Sequence, residues 1–158
     1  MKIQEIMSRD VCTCVQNATL NEAAEIMWEQ DCGFVPVVDA ATEAVVGVIT
    51  DRDISMAAYT SGLALNEMLV SQSMSSAPKT CSAEDSLESV ETEMRVSRVR
   101  RLPVVDASKH PIGVISIADL ARVAELERMK KEPRVTIAEV GATLGTISQP
   151  RKLAAHSN

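Results

Sequence analysis

Gly47-Val48-Ile49-Thr50-Asp51-Arg52-Asp53 reads as a buried strand that runs straight into the first turn of a helix. The chain repeats it as Gly113-Val114-Ile115-Ser116-Ile117-Ala118-Asp119, with the glycine, the hydroxyl and the aspartate at the same spacing. Such a repeat decides the fold and is traced before anything else. A shift of 67 lays Met7 on Met74, Thr13-Cys14 on Thr80-Cys81, Thr19-Leu20 on Ser86-Leu87 and Met27 on Met94. It also lays Pro36-Val37-Val38-Asp39 on Pro103-Val104-Val105-Asp106, after which the shift becomes 66 because the second turn is one residue shorter.

In the first unit, Val11–Val15 is short and β-prone, and serves as a strand or extended entry. Thr19-Leu-Asn-Glu22 has capping-box spacing, and Leu20, Ala23, Ala24 and Met27 form an apolar stripe at helical spacing. Phe34–Val38 is a strand whose Pro36 points to an edge or strand-start position. Val45–Ile49 is continuously apolar, as in a strand buried on both faces. Thr50 opens a helix to about Tyr59, and Leu65–Val70 reads as a short linking helix. The second unit repeats this order, with a helix stripe of Leu87, Val90 and Met94, a middle strand Arg101–Val105 and a buried strand Ile112–Ile115. Its last helix starts at Ser116 and extends to about Lys131, before Pro133. Residues 1–62 are therefore one unit, 63–73 a linker, 74–125 a second unit, and 126–158 a tail made of a helix end and then irregular chain. Val135–Val140 fits a strand or a short helix equally; the tail suits a disordered end or a packing arm. The fold class is α/β (α+β), two β-α-β-β-α repeats packed sheet-to-sheet about a pseudo-twofold axis. A unit of that size buries little surface alone, and the clefts between two of them favour ligands.

Composition narrows the function. The 158 residues are 46% hydrophobic and 24% charged, which suits a globular chain. Aromatics are 2%, Trp28, Phe34 and Tyr59 being single examples, which disfavours stacking platforms for single-stranded nucleic acid. The net charge of -6 splits into +3 on residues 122–158 and -9 before them, an unfavourable body for duplex nucleic acid. No apolar run reaches the ~18 residues of a membrane span, and the first residues lack a signal-peptide core. A cytoplasmic location and no membrane partner are expected. Cys12, Cys14, Cys32 and Cys81 show no zinc or redox spacing, and His110 and His156 lie in a turn and in the tail. No metal site and no nucleophile–base set is expected, so the chain is not read as an enzyme.

Thr50-x-x-Asp53 and Ser116-x-x-Asp119 read first as helix caps, in which a hydroxyl and an acid satisfy free amides. A second role fits the same residues. They emerge at the carboxyl end of a buried strand, where α/β layers open crevices. Helix amides suit a phosphate, and an ionised Asp accepts both hydrogens of a ribose diol.

The doubled pattern Met7, Thr13, Thr19-Leu20-x-x-Ala23, Pro36-Val37-Val38-Asp39, Gly47-Val48-Ile49-Thr50-x-x-Asp53 resembles a tandem pair of CBS (cystathionine beta-synthase) domains, a Bateman module, over residues 1–125. The resemblance implies a regulatory module that requires no cofactor and binds AMP, ADP or ATP, with S-adenosylmethionine or NAD as further candidates. It places the Ser/Thr on phosphate, the Asp on ribose, and adenine against the entry segment and middle strand. Carried onto this chain, the first site comprises Thr13, Cys14, Phe34, Val35, Pro36, Thr50 and Asp53. The second comprises Thr80, Cys81, Arg101, Leu102, Pro103, Ser116 and Asp119. Arg52 beside the first and Lys79 beside the second are added as phosphate ligands, Arg being well suited to that role. A homodimer, a flat disc of four units, and a separate effector protein are further implications. Two alternatives stay open: an assembly module with vestigial clefts, and a thiol sensor using Cys14 and Cys81.

Overall fold

The computed structural model describes residues 1–150; residues 151–158, which include His156, lie outside the described residues. The fold is mixed α+β, with one three-stranded sheet per repeat. In the first sheet β1 (Cys14–Val15) runs parallel to β2 (Phe34–Val38), which pairs antiparallel with β3 (Val45–Thr50). In the second, β4 (Cys81–Ser82), β5 (Arg101–Val105) and β6 (Pro111–Ser116) repeat the arrangement. Helices α1 (Leu20–Glu29) and α2 (Asp51–Ser61) serve the first unit, α3 (Leu87–Ser97) and α4 (Ile117–Glu127) the second, and α5 (Ile137–Ile147) follows. No helix among the described residues is long and apolar enough to cross a membrane.

The capping signals act as the spacing predicts. Glu22 N–H donates to Thr19 Oγ1 (3.3 Å), while Thr19 N–H donates back to the Glu22 carboxylate (2.7 Å). Leu20, Ala23 and Met27 are buried in the first core, and Leu87, Val90 and Met94 in the second. The linker forms two 3₁₀ turns, Leu65–Glu67 and Val70–Gln72, in place of one helix.

The segments that lead into each repeat cross over. Ile3 and Met7 lie in the core of the second unit, and Ser8 exchanges backbone hydrogen bonds with Val114 on β6 (3.0 and 2.9 Å). Reciprocally, Met68, Val70 and Met74 pack with the first core, and Ser75 exchanges bonds with Val48 on β3 (3.1 and 2.9 Å). The strand glycines follow from this crossing. A Cβ on Gly113 would lie 2.8 Å from the Ser8 carbonyl oxygen, and one on Gly47 would lie 2.6 Å from Met74 Sδ. The units also touch directly, Val45 N–H donating to Lys109 O (2.9 Å) and His110 Nε2 standing 2.9 Å from Thr42 O.

Three further expectations are corrected. Pro36 and Pro103 sit in the central strand of their sheets, neither at an edge nor at a strand start. Pro36 faces Val48, whose N–H and C=O already bond Ser75 on the far side. The Pro36–Val48 pair is thus a non-hydrogen-bonded position of the antiparallel ladder, where a missing N–H costs nothing. Strands β3 and β6 alternate buried and half-buried residues, with Val46, Val48 and Val114 half-buried. They are therefore covered fully on one face only. Finally, α4 ends at Glu127, and the tail that read as irregular contains α5. Glu127 is drawn into a turn, accepting from Lys130 Nζ (2.9 Å), Arg134 Nε (2.8 Å) and Arg134 N–H (2.7 Å). Thr136 and Glu139 then cap α5, whose Val140, Thr143 and Ile147 are buried against α3 and α4. Thr143 donates to the buried Glu91 (3.2 Å) and accepts from Arg95 (2.9 Å). The repeat counterparts of Glu91 and Arg95 are Ala24 and Trp28, on a face that has no such covering helix among the described residues. Trp28 is 88% exposed.

Candidate functional site

Both recurring motifs lie where a strand meets a helix. Thr50 ends β3 and is the N-cap of α2; Ser116 ends β6 and is the N-cap of α4. Asp53 N–H donates to Thr50 Oγ1 (3.2 Å), and the N–H and hydroxyl of Thr50 donate to Asp53 Oδ2 (2.9 and 2.7 Å). Asp119 N–H likewise donates to Ser116 Oγ (3.2 Å), with Ser116 N–H and hydroxyl on Asp119 Oδ2 (2.7 and 2.5 Å). The capping role is therefore complete in both units, and each cap consumes one carboxylate oxygen.

The second oxygen differs between them. Asp53 is half-buried, and its Oδ1 has no hydrogen-bond partner among the described residues. Asp119 is 4% exposed, and its Oδ1 accepts from the Arg122 guanidinium and from Ser8 Oγ (3.4 Å). Sequence reasoning passed over Arg122 and Ser8. Arg122 carried a signal, since it follows Asp119 by three residues on a helix, the spacing of side-chain neighbours. Ser8 carried none, because its position depends on the crossing of the leading segment.

Strand register sets the remaining expected residues. Phe34 pairs with Thr50 and Arg101 with Ser116, so each hydroxyl has a β2 or β5 end residue beside it. Phe34 is half-buried and Arg101 exposed. Val35 and Leu102 are fully buried in the cores, and Pro36 and Pro103 are buried in their strands. Cys14 and Cys81 are buried as well; burial pushes their thiols up to about 11 and about 12. Thr13 is half-buried and Thr80 exposed, each just ahead of its entry strand. Arg52 is exposed beside Thr50. Lys79 stands 3.8 Å from Glu93.

Each unit carries a surface hollow, and neither is lined by Thr50, Asp53, Ser116 or Asp119 themselves. A groove of about 500 Å³ is lined by Met27, Trp28, Asp31, Cys32, Gly33 and Asp51, adjoining Phe34 and Thr50. A hollow of about 520 Å³ on the second unit includes Thr80 and Cys81, with Asp85, Glu88 and Glu93 on its wall. Acidic side chains line both, Asp31 and Asp51 in the first and Asp85, Glu88 and Glu93 in the second.

A family model described as CBS domain matches residues 3–59 and again 69–126. A CBS domain-containing protein of Bacillus subtilis, YhcV, is 32% identical over 119 residues, covering 75% of this chain and 82% of that one. Homoserine O-acetyltransferase of Methanosphaera stadtmanae is 30% identical over 124 residues, 78% of this chain but only 24% of that protein. The chain thus spans about a quarter of the length of that relative. The CBS domain pair of protein MJ0100, solved in complex with 5′-methylthioadenosine and S-adenosyl-L-methionine, has a TM-score of 0.72 at 24% identity, covering 80% of this chain and 98% of that one. CBSX2 in complex with AMP has a TM-score of 0.69 at 22% identity, covering 80% and 98%. At these identities the two structures establish a likeness of fold.

Proposed function

The chain belongs to the CBS-domain family as a tandem pair, and from that premise we propose that it is a regulatory module binding an adenine nucleotide, AMP, ADP or ATP, in the cleft at the strand–helix junctions. The observation that carries the reading is the pair of capped carboxylates at the carboxyl ends of β3 and β6, one of them with an oxygen to spare. An ionised carboxylate oxygen accepts ribose hydroxyls, and the amides of the following helix turn suit a phosphate. The adenosine compounds in two structurally similar pairs support the same ligand class. S-adenosylmethionine is the main competitor.

Ligand signals by binding one relative arrangement of the repeats better than another. The units meet through few direct bonds, Val45 to Lys109 and Thr42 to His110, and through the crossed segments. A ligand that draws on both units shifts that arrangement, and a separate effector protein in the cytoplasm reads it. The chain performs no chemistry of its own in this reading. We also assign it a homodimeric state through the exposed α1/α2 face carrying Trp28, Met56 and Tyr59. The corresponding face of the second unit is covered by α5.

The thiol-sensor alternative is disfavoured by the raised thiols of Cys14 and Cys81, since the thiolate is the reactive form. The test is thermal unfolding with AMP, ADP, ATP and S-adenosylmethionine added separately. At a ligand concentration ~100-fold above Kd the stabilisation is about 2.7 kcal/mol, a rise of roughly 5–10 °C for a chain of this size. No shift with any of the four, and an Asp53→Ala/Asp119→Ala double variant that behaves like the parent, refutes the sensing role.

A further inference from the structure

We infer that the first cleft, at Thr50 and Asp53, is the working nucleotide site, and that Arg122 together with Ser8 closes the second from within the chain. The inference rests on the nucleotide-binding reading above and assigns the two halves different duties.

The argument is one of acceptor counting. In both units Oδ2 of the aspartate is committed to the helix cap. A ribose diol must therefore be met by Oδ1. Asp53 Oδ1 has no partner among the described residues and belongs to a half-buried side chain. Asp119 Oδ1 is held by a guanidinium and a hydroxyl and lies on a buried side chain, so a ribose would have to break a charge-assisted bond to reach it. The repeat counterpart of Arg122 is Met56, which has no charge to offer Asp53. The counterpart of Ser8 is Ser75, which bonds Val48 through its backbone.

Cations flank both junctions. Arg52 stands exposed between Thr50 and Asp53, and its counterpart is Ala118. Of the second unit's cations, Lys79 faces Glu93 at 3.8 Å. Arg100 and Arg101 stand exposed at the start of β5, Arg101 paired with Ser116, so the aspartate acceptor is what separates the two junctions. The first cleft thus has an open acceptor for ribose and a cation for phosphate; the second has its acceptor filled.

Isothermal titration of the full chain with AMP reads the difference. The expected stoichiometry is one AMP per chain. Asp53→Asn, which keeps a polar cap at the third helical position, weakens AMP at least ~10-fold, the loss of a hydrogen bond to a charged group. Arg52→Ala, at an exposed position whose side chain makes no hydrogen bond or ion pair among the described residues, weakens AMP but leaves adenosine within about 2-fold. Arg122→Ala frees Asp119 Oδ1 and raises the stoichiometry to two; placed on the Asp53→Asn background, it restores one site. A parent stoichiometry of two, AMP binding indifferent to Asp53→Asn, or an unchanged stoichiometry in Arg122→Ala overturns this inference alone. Failure of the parent to bind AMP, ADP, ATP or S-adenosylmethionine overturns the functional reading, and this inference with it.

Discussion

Replacing Gly113 by alanine tests the crossing of the leading segments directly. Its φ is outside the left-handed region, where only Gly62 among the glycines lies, so backbone strain is not at issue. The added Cβ would lie 2.8 Å from the Ser8 carbonyl oxygen and 2.9 Å from Met7 Sδ. The methionine end can swing aside; the carbonyl cannot, because it accepts from Val114 N–H at 2.9 Å. Relief therefore lifts Ser8 from β6, weakening two backbone bonds of about 0.5–1.5 kcal/mol each and adding overpacking of about 1–3 kcal/mol. Against this stands a gain of about 0.4–1 kcal/mol from the stiffer unfolded chain. The net is a destabilisation of about 1–5.6 kcal/mol, or roughly 2–22 °C in melting temperature. Gly141→Ala is the matched control: an added Cβ meets nothing within 4 Å in the interior of α5, and the helix gains about 0.5–1 kcal/mol. Urea unfolding should move in opposite directions for the two variants. A Gly113→Ala protein as stable as the parent would refute the placement of Ser8 on β6.

Other expectations follow from the same structure. Hydrogen bonds from Arg134 and then Lys130 pull the Glu127 carboxyl from its ordinary 4.5 down to about 2; a depressed acid stabilises above its unfolded value. Its contribution is thus full above about pH 4.5 and lost as pH falls towards about 2, and Glu127→Gln should flatten unfolding midpoints across that window. Alkylation of the native protein at pH 8 should modify Cys12 and Cys32 and spare Cys14 and Cys81 until unfolding, as peptide mass mapping would report. Trp28, the single tryptophan, should emit like indole in water and be quenched by acrylamide; a blue shift on raising protein concentration is the expected sign of a second copy covering α1.

Much of this fold was legible because two independent signals coincided. Capping residues marked the helix starts at Thr19, Thr50, Ser86 and Ser116, and the repeat confirmed each by its copy. Where only one signal existed, or two conflicted, the reading failed. Gly141 and Gly145 look like breakers, and they obscured Thr136, Glu139 and the Val140–Thr143–Ile147 stripe that build α5. Pro36 argues against a central strand by local rules, and only the pairing of Val48 with Ser75 makes it tolerable there. Met7 and Met74 were aligned by the repeat, yet nothing local says that each covers the other unit's glycine. The site divides the same way: Thr50, Asp53, Ser116 and Asp119 were visible as motifs, whereas the filling of Asp119 Oδ1 depends on a long-range contact from Ser8.

The crossed segments also set an order of events during synthesis. Residues 1–8 leave the ribosome before either repeat, but β6, on which Ser8 docks, is complete only when Ser116 has emerged. The first sheet must likewise wait for Ser75 before β3 is flanked on its outer side. Domains that fold vectorially usually finish in sequence; here the segment that leads the first repeat is seated only by the second. Each half is therefore completed by a bridging segment from just ahead of the other half, and a cut at residue 62 would leave both with an open edge. Nascent chains halted before residue 116 should keep their first residues open to protease, and become protected there only when the second repeat closes.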